Sequence, residues 1–179
     1  MLLISGRSEI ADWGTTDQEV HVMPSTDQPT QYGAAITVTT GGWSSLLEEE
    51  ERHAARQGFG AGVIIVSFAS ELLRRVDDDG RALLESAIVT IIEANLRWTD
   101  RGMTLAPGRF GIVTVPVDGS LSLAARARSL HDELLGRDLE ADVAYALRRD
   151  RGGLSAAAAR ADAALDTSAA RRRSPLRSS

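Results

Sequence analysis

Arg97 and Asp100 stand three residues apart, with Arg101 directly after them, ahead of an apolar segment that turns at Pro107-Gly108. A guanidinium can grip a phosphate group with two parallel hydrogen bonds, and a neighbouring carboxylate can accept from a ligand's N–H groups. The same spacing also reads as an ordinary surface ion pair at a helix end. R-x-x-D is short enough to recur by chance. Other chemistry-bearing residues point to less. His21, His53 and His131 are widely separated and have no metal-ligand spacing. Asp77-Asp78-Asp79-Gly80 lacks the alternating ligands and distal glutamate of a calcium loop, and reads as a solvated turn capping the next helix. No serine lies in G-x-S-x-G. Trp98 reads as a core or dimer contact, or alternatively as a platform on which a base could stack.

Composition narrows the chemistry further. All 20 basic residues are arginine, so a catalytic or P-loop lysine is excluded. No cysteine is present, which removes disulfides, thiol nucleophiles and Cys-ligated zinc. The net charge of −5 gives no electrostatic case for binding nucleic acid or an anionic membrane. No apolar run approaches the ~20 residues that cross a bilayer. The expectation is a soluble cytoplasmic protein with no membrane insertion. A hydrophobic fraction of 43% is enough for one core.

The elements that must position these residues follow from patterning. Residues 1–35 are polar and read as a flexible arm, within which Glu19–Met23 could form a buried strand; residues 171–179 read as a disordered basic tail. Between them, residues 36–170 read as one domain. Ile36 and Val38 alternate with threonines as a short strand. Trp43 to Gln57 is predicted as a helix, with glutamates early and Arg52 and Arg56 late to complement its dipole. Its Glu48/Arg52 and Glu49/His53 pairs are placed on an exposed face. Val63 to Phe68 is a run dominated by β-branched residues, as in a strand buried on both faces. A short helix over Ser70–Val76 and a longer one from about Arg81 to Trp98 follow. Next come strands near Met103–Leu105 and Arg109–Val115, a helix over Leu121–Leu135, and a strand over Ala141–Arg148. A last helix spans Ser155–Ala170, with Ser155 as its N-cap. The order implies an α/β (α+β) fold, ferredoxin-like or palm-like, with a mixed sheet covered mainly on one side.

From Trp43 to Ala170 the chain resembles a degenerate GGDEF (diguanylate cyclase-like) domain of the actinobacterial type. Four features carry the resemblance. A charged helix ends in Arg56-Gln57-Gly58 ahead of the Val63–Phe68 strand. Arg97-x-x-Asp100 lies just upstream of the signature position. Leu105 and Phe110-Gly111-Ile112-Val113 frame the hairpin, which ends in Pro116. Ala161-Asp162-Ala163-Ala164-Leu165 is close to the family's closing motif. The signature itself is replaced by Ala106-Pro107-Gly108-Arg109-Phe110.

The resemblance implies both a scaffold and a loss. In the family two magnesium ions bridge the GTP triphosphate, held by carboxylates at a strand end and in the signature. The strand-end position is Ser67 here, with Ala69 in place of a second aspartate, and the signature carboxylates are Gly108 and Arg109. The guanine-reading positions fall near Arg75 and Ala82, and the closing lysine at Ala169. The resemblance therefore implies no cyclase activity, no metal and no cofactor. It implies a regulatory or interaction module, with cyclic di-GMP as a ligand at Arg97, Asp100 and Arg101, the family's inhibitory site. The other reading is a structural partner of another signalling protein, or a homodimer, that binds no nucleotide.

Overall fold

The computed structural model describes residues 36–37, 42–68 and 76–173. The strand considered at Glu19–Met23, the arm as a whole, all but the last residue of the helix expected over Ser70–Val76, and the end of the basic tail lie outside the described residues. The elements are β1 (Ile36–Thr37), α1 (Trp43–Gln57), β2 (Gly62–Phe68), α2 (Asp78–Asn95), β3 (Arg101–Ala106), β4 (Arg109–Thr114), α3 (Ser120–Leu135), β5 (Ala141–Leu147) and α4 (Gly153–Arg173). They form a mixed α/β fold.

The five strands make one sheet in the order β1-β3-β4-β2-β5. β1 runs parallel to β3, and every other pairing is antiparallel. β2 is central because it is apolar on both sides. Ile64, Val66 and Phe68 join Phe110 and Ile112 against Ile88, Ile91 and Ile92 of α2 and Leu123, Leu130 and Leu134 of α3. Val63 and Ile65 join Val113 against Leu47 and Ala54 of α1 and Leu154, Ala157, Ala161 and Leu165 of α4. Both faces of the sheet are therefore covered, which corrects the expectation of a mainly one-sided cover. The alternation of strand side chains sends half of a continuous apolar run to each face, and each half needs its own helices. The alanines of α4 let that helix lie close to the sheet. Gly111 on β4 serves the same end, since a Cβ there would lie 2.7 Å from the Trp43 ring.

The helix limits differ from expectation in places. α2 begins at Asp78, not near Arg81, because Asp77 caps it: its Oδ1 accepts the Gly80 amide at 2.8 Å. Asp78 and Asp79 thus belong to the first turn, where negative charge suits the dipole. α2 ends at Asn95, which leaves Trp98 outside it. α4 starts at Gly153, so Ser155 lies inside the helix and is not its cap, and it runs on to Arg173, into the segment expected as a tail. The terminal amide of Leu154 is instead taken by Glu51 Oε2 from α1, at 2.8 Å. Glu51 Oε1 also accepts from Arg148 Nε and Nη2, both at 2.7 Å. One carboxylate thereby ties together α1, the end of β5 and the start of α4.

The Arg148 hydrogen bond, helped by the Leu154 amide and opposed by burial, holds the Glu51 carboxyl below its ordinary value of 4.5. A carboxylate whose folded value is depressed stabilises the fold above its unfolded value, and that contribution fades as pH falls through the folded one. Glu51→Gln is expected to cost about 1–2 kcal/mol at pH 7, as charge-assisted hydrogen bonds to a partly exposed group do. Denaturant melts of both proteins should show this gap closing as the pH is lowered below 4.5.

Candidate functional site

The hairpin between β3 and β4 turns through Pro107 and Gly108. Proline presets the first central position, and Gly108 takes the second with φ +69°, the arrangement of a type II turn. A register shift between Thr104 and Ala106 makes a bulge just before it. Gly108 O accepts the Phe68 amide at 2.9 Å, locking the turn to the end of β2. Phe110 is fully buried and meets Phe68 edge to face, with ring centroids 6.1 Å apart.

This lock sets Ser67 and Arg109 side by side. Ser67 pairs across the strands with Arg109 on β4 and with Asp142 on β5. The Arg109 guanidinium is ion-paired with Asp162 of α4. Ala106 and Pro107 are exposed at the tip. The hairpin thus presents an anchored cation at the strand end. Among the described residues, no three or more His, Asp or Glu side chains gather where a metal could be held. Ala69 and Arg75 lie outside the described residues.

Arg97, Asp100 and Arg101 occupy the turn between α2 and β3 and the first residue of β3. Asp100 is completely buried. Its Oδ2 accepts the Arg97 amide at 2.7 Å, and its own amide donates to Arg97 O at 2.9 Å, closing the turn. Arg126 of α3 adds two bonds, Nη1 to Oδ1 at 3.1 Å and Nη2 to Oδ2. The carboxylate partner is Arg126, not Arg97, so the reading of the spacing as a surface ion pair does not hold. The Arg97 side chain is exposed.

Beside this turn lies a cleft of about 290 Å³ lined by Glu50, His53, Phe59, Trp98, Arg101 and Pro116, among others. Trp98 is 76% exposed and is a wall of this cleft, not a core residue. Glu50 lies on α1 yet is only 6% exposed. Its Oε2 is 3.6 Å from His53 Nδ1 and its Oε1 is 3.8 Å from Arg101 Nε. Charge order along α1 places its glutamates on the solvent side and does not reveal that Glu50 and Glu51 face inward. The signal is faint: a period of 3.6 puts Glu50 on the Leu47 and Ala54 face, but charge argues the other way. Arg126 has no signal in the sequence, since nothing local marks it as the partner of a residue on another element.

No family model matches the chain, and no curated protein does. Solved structures do share its fold. The GGDEF domain of DgcB from Caulobacter crescentus, in complex with c-di-GMP, aligns with TM-score 0.64 at 12% identity, over 74% of this chain and 86% of that one. The GGDEF domain of YfiN from Pseudomonas aeruginosa gives 0.57 at 19% identity, over 73% and 87%. The diguanylate cyclase SiaD from the same species, in complex with its activator SiaC, gives 0.58 at 22% identity, over 77% and 60%. The chain therefore has a GGDEF-like fold over roughly three quarters of its length. Among the described residues, no helix is long and apolar enough to cross a membrane.

The two members of R-x-x-D should behave differently. Removing one side of a buried ion pair leaves an uncompensated charge and costs about 3–5 kcal/mol, so Asp100→Ala should destabilise strongly. Arg97→Ala, at an exposed side chain, should stay within about 0.5 kcal/mol. Thermal unfolding of both variants measures the contrast, and equal effects would refute the buried role of Asp100.

Proposed function

We propose that this chain is a non-catalytic regulatory module on a diguanylate cyclase scaffold, and that it acts by binding a protein partner or a second copy of itself. The observation that carries this reading is the Arg109–Asp162 ion pair, across the strands from Ser67. If the hairpin is the counterpart of the family's signature, as the sequence resemblance implies, these residues stand where magnesium would be held. A fixed guanidinium there repels divalent cations, and a serine hydroxyl is a poor substitute for a carboxylate. The residues do not fit the metal pair. The expected result is no cyclic di-GMP formed from GTP with magnesium or manganese, followed by chromatography of the nucleotide products. Turnover above the protein-free background would overturn the reading.

Cyclic di-GMP binding without turnover is a second reading, favoured by the cleft beside Arg97 and Arg101. DgcB was solved with this ligand. In the present chain Asp100 is committed to Arg126, so the carboxylate facing the cleft is Glu50 and the exposed cations are Arg97 and Arg101. On this reading, calorimetric titration with cyclic di-GMP detects binding, and Arg97→Ala and Glu50→Gln each weaken it by about ten-fold or more, the loss of a charge-assisted contact. Absence of heat leaves the protein-interaction role alone.

A further inference from the structure

β5 pairs with β2 and with no other described strand, so among the described residues it is an edge of the sheet. Every one of its residues is partly exposed, although α3 and α4 lie over its two faces. By contrast, β2 is buried except at Ser67. One hydrogen bond fixes the phase of this edge. Arg148 donates its amide to Ala61 O at 2.9 Å, so these opposed residues form a hydrogen-bonded pair. Alternation along an antiparallel ladder then points the backbone groups of Asp142, Ala144 and Ala146 inward to β2. Those of Ala141, Val143, Tyr145 and Leu147 point outward. The Leu147 carbonyl is covered by Arg160 Nη2 at 2.6 Å, as an outward group would be.

An edge of this length is ordinarily guarded by proline, lysine, a bulge or inward charge. Arg160 guards this edge at the Leu147 carbonyl and leaves the outward groups of Val143 and Tyr145 to pair; β5 has no proline or lysine, and its register with β2 is unbroken from Ala141 opposite Phe68 through to Leu147 opposite Gly62. What it does have is a charge order that complements itself. Glu140 and Asp142 mark its start, and Arg148 and Arg149 mark its end. Run antiparallel to a copy of itself, such a strand sets acid against base at both ends. The opposite edge, β1, is only two residues long.

We propose that β5 pairs antiparallel with β5 of a second copy about a two-fold axis at Ala144, joining the two sheets into one. In this register Val143 lies opposite the partner's Tyr145 as a hydrogen-bonded pair, twice over. An aromatic beside a β-branched residue is a favourable cross-strand contact. It gives Tyr145, 44% exposed in one chain, a surface to cover it. Glu140 lies opposite the partner's Arg148, a guanidinium with five N–H donors whose Nε and Nη2 also serve Glu51 of its own chain. Ala144 faces the partner's Ala144 at a non-hydrogen-bonded position, where Cα atoms lie about 4.5 Å apart.

The chain has no cysteine, so introduced thiols report the register without background. The Ala144 spacing falls within the range of about 4.4–6.8 Å that a disulfide spans. Analytical ultracentrifugation of the full chain should show a dimer at micromolar concentration. Mild oxidation should give a disulfide-linked dimer with Ala144→Cys and none with Ala146→Cys, which shares the same face but lies away from the axis. Tyr145→Lys, at an exposed position, should raise the dissociation constant at least about ten-fold, the cost of a charge on the pairing edge, with the far-UV circular dichroism unchanged. A monomeric wild type, a dimer that Tyr145→Lys leaves intact, or cross-linking at Ala146→Cys instead of Ala144→Cys would each overturn the pairing. The inference rests on the interaction role proposed above. Its failure leaves the non-catalytic reading standing, because GTP turnover tests that reading separately.

Discussion

Strand β2 has no face that can be left to solvent, and the arrangement of the molecule follows from that constraint. Val63 and Ile65 go one way, and Ile64, Val66 and Phe68 the other. Each half must be roofed by helices, so α1 and α4 close one side while α2 and α3 close the other. Because β2 is also flanked by β4 and β5, its backbone is satisfied on both edges. The hairpin turn, the start of α4 and the cleft beside α1 are all placed by their distance from this strand.

Around that apolar frame, charged side chains act as cross-links between elements far apart in sequence. Asp100 closes the turn before β3 and holds α3 through Arg126. Glu51 joins α1 to β5 and α4. Arg109 joins the hairpin to α4. Asp100 and Glu51 are drawn away from solvent where a guanidinium and a backbone amide compensate them, the condition under which burying charge is tolerable. A chain whose cations are all arginine suits this use, since the planar fork satisfies two acceptor sites at once.

These cross-links leave the charged groups they use already paired within the chain. Asp100 is completely buried, with its carboxylate accepting from Arg126 and from the Arg97 amide. Arg109 is held at the strand end as a paired cation. Among the described residues, a cleft walled by Trp98 with Glu50 inside it and the edge of β5 are open. A fold shared with cyclase domains fixes where such surfaces sit but not which of them is used.

The amino-acid sequence determined the elements and their order. The β-branched run of β2, the Pro107-Gly108 turn, the stripe of α2 and the alternation of β5 are local signals, written in residue types and in periods of 2 and 3.6. The tertiary structure alone decided the rest. Helix α1 carries a run of glutamates that local charge logic turns outward, yet Glu50 and Glu51 face in because Arg101 and Arg148 arrive from distant strands. Ser155 has the type of a cap, but the α4 amide was already taken by Glu51. Asp100 and Arg97 have the spacing of a pair, but the guanidinium that reaches the carboxylate is Arg126, from another helix. Both faces of the sheet are covered because helices on either side of β2 return to it. The physical reason is the same in each case: a periodic pattern is a property of neighbours along the chain, whereas the partner of a charge or the roof over a sheet depends on segments brought together only by folding.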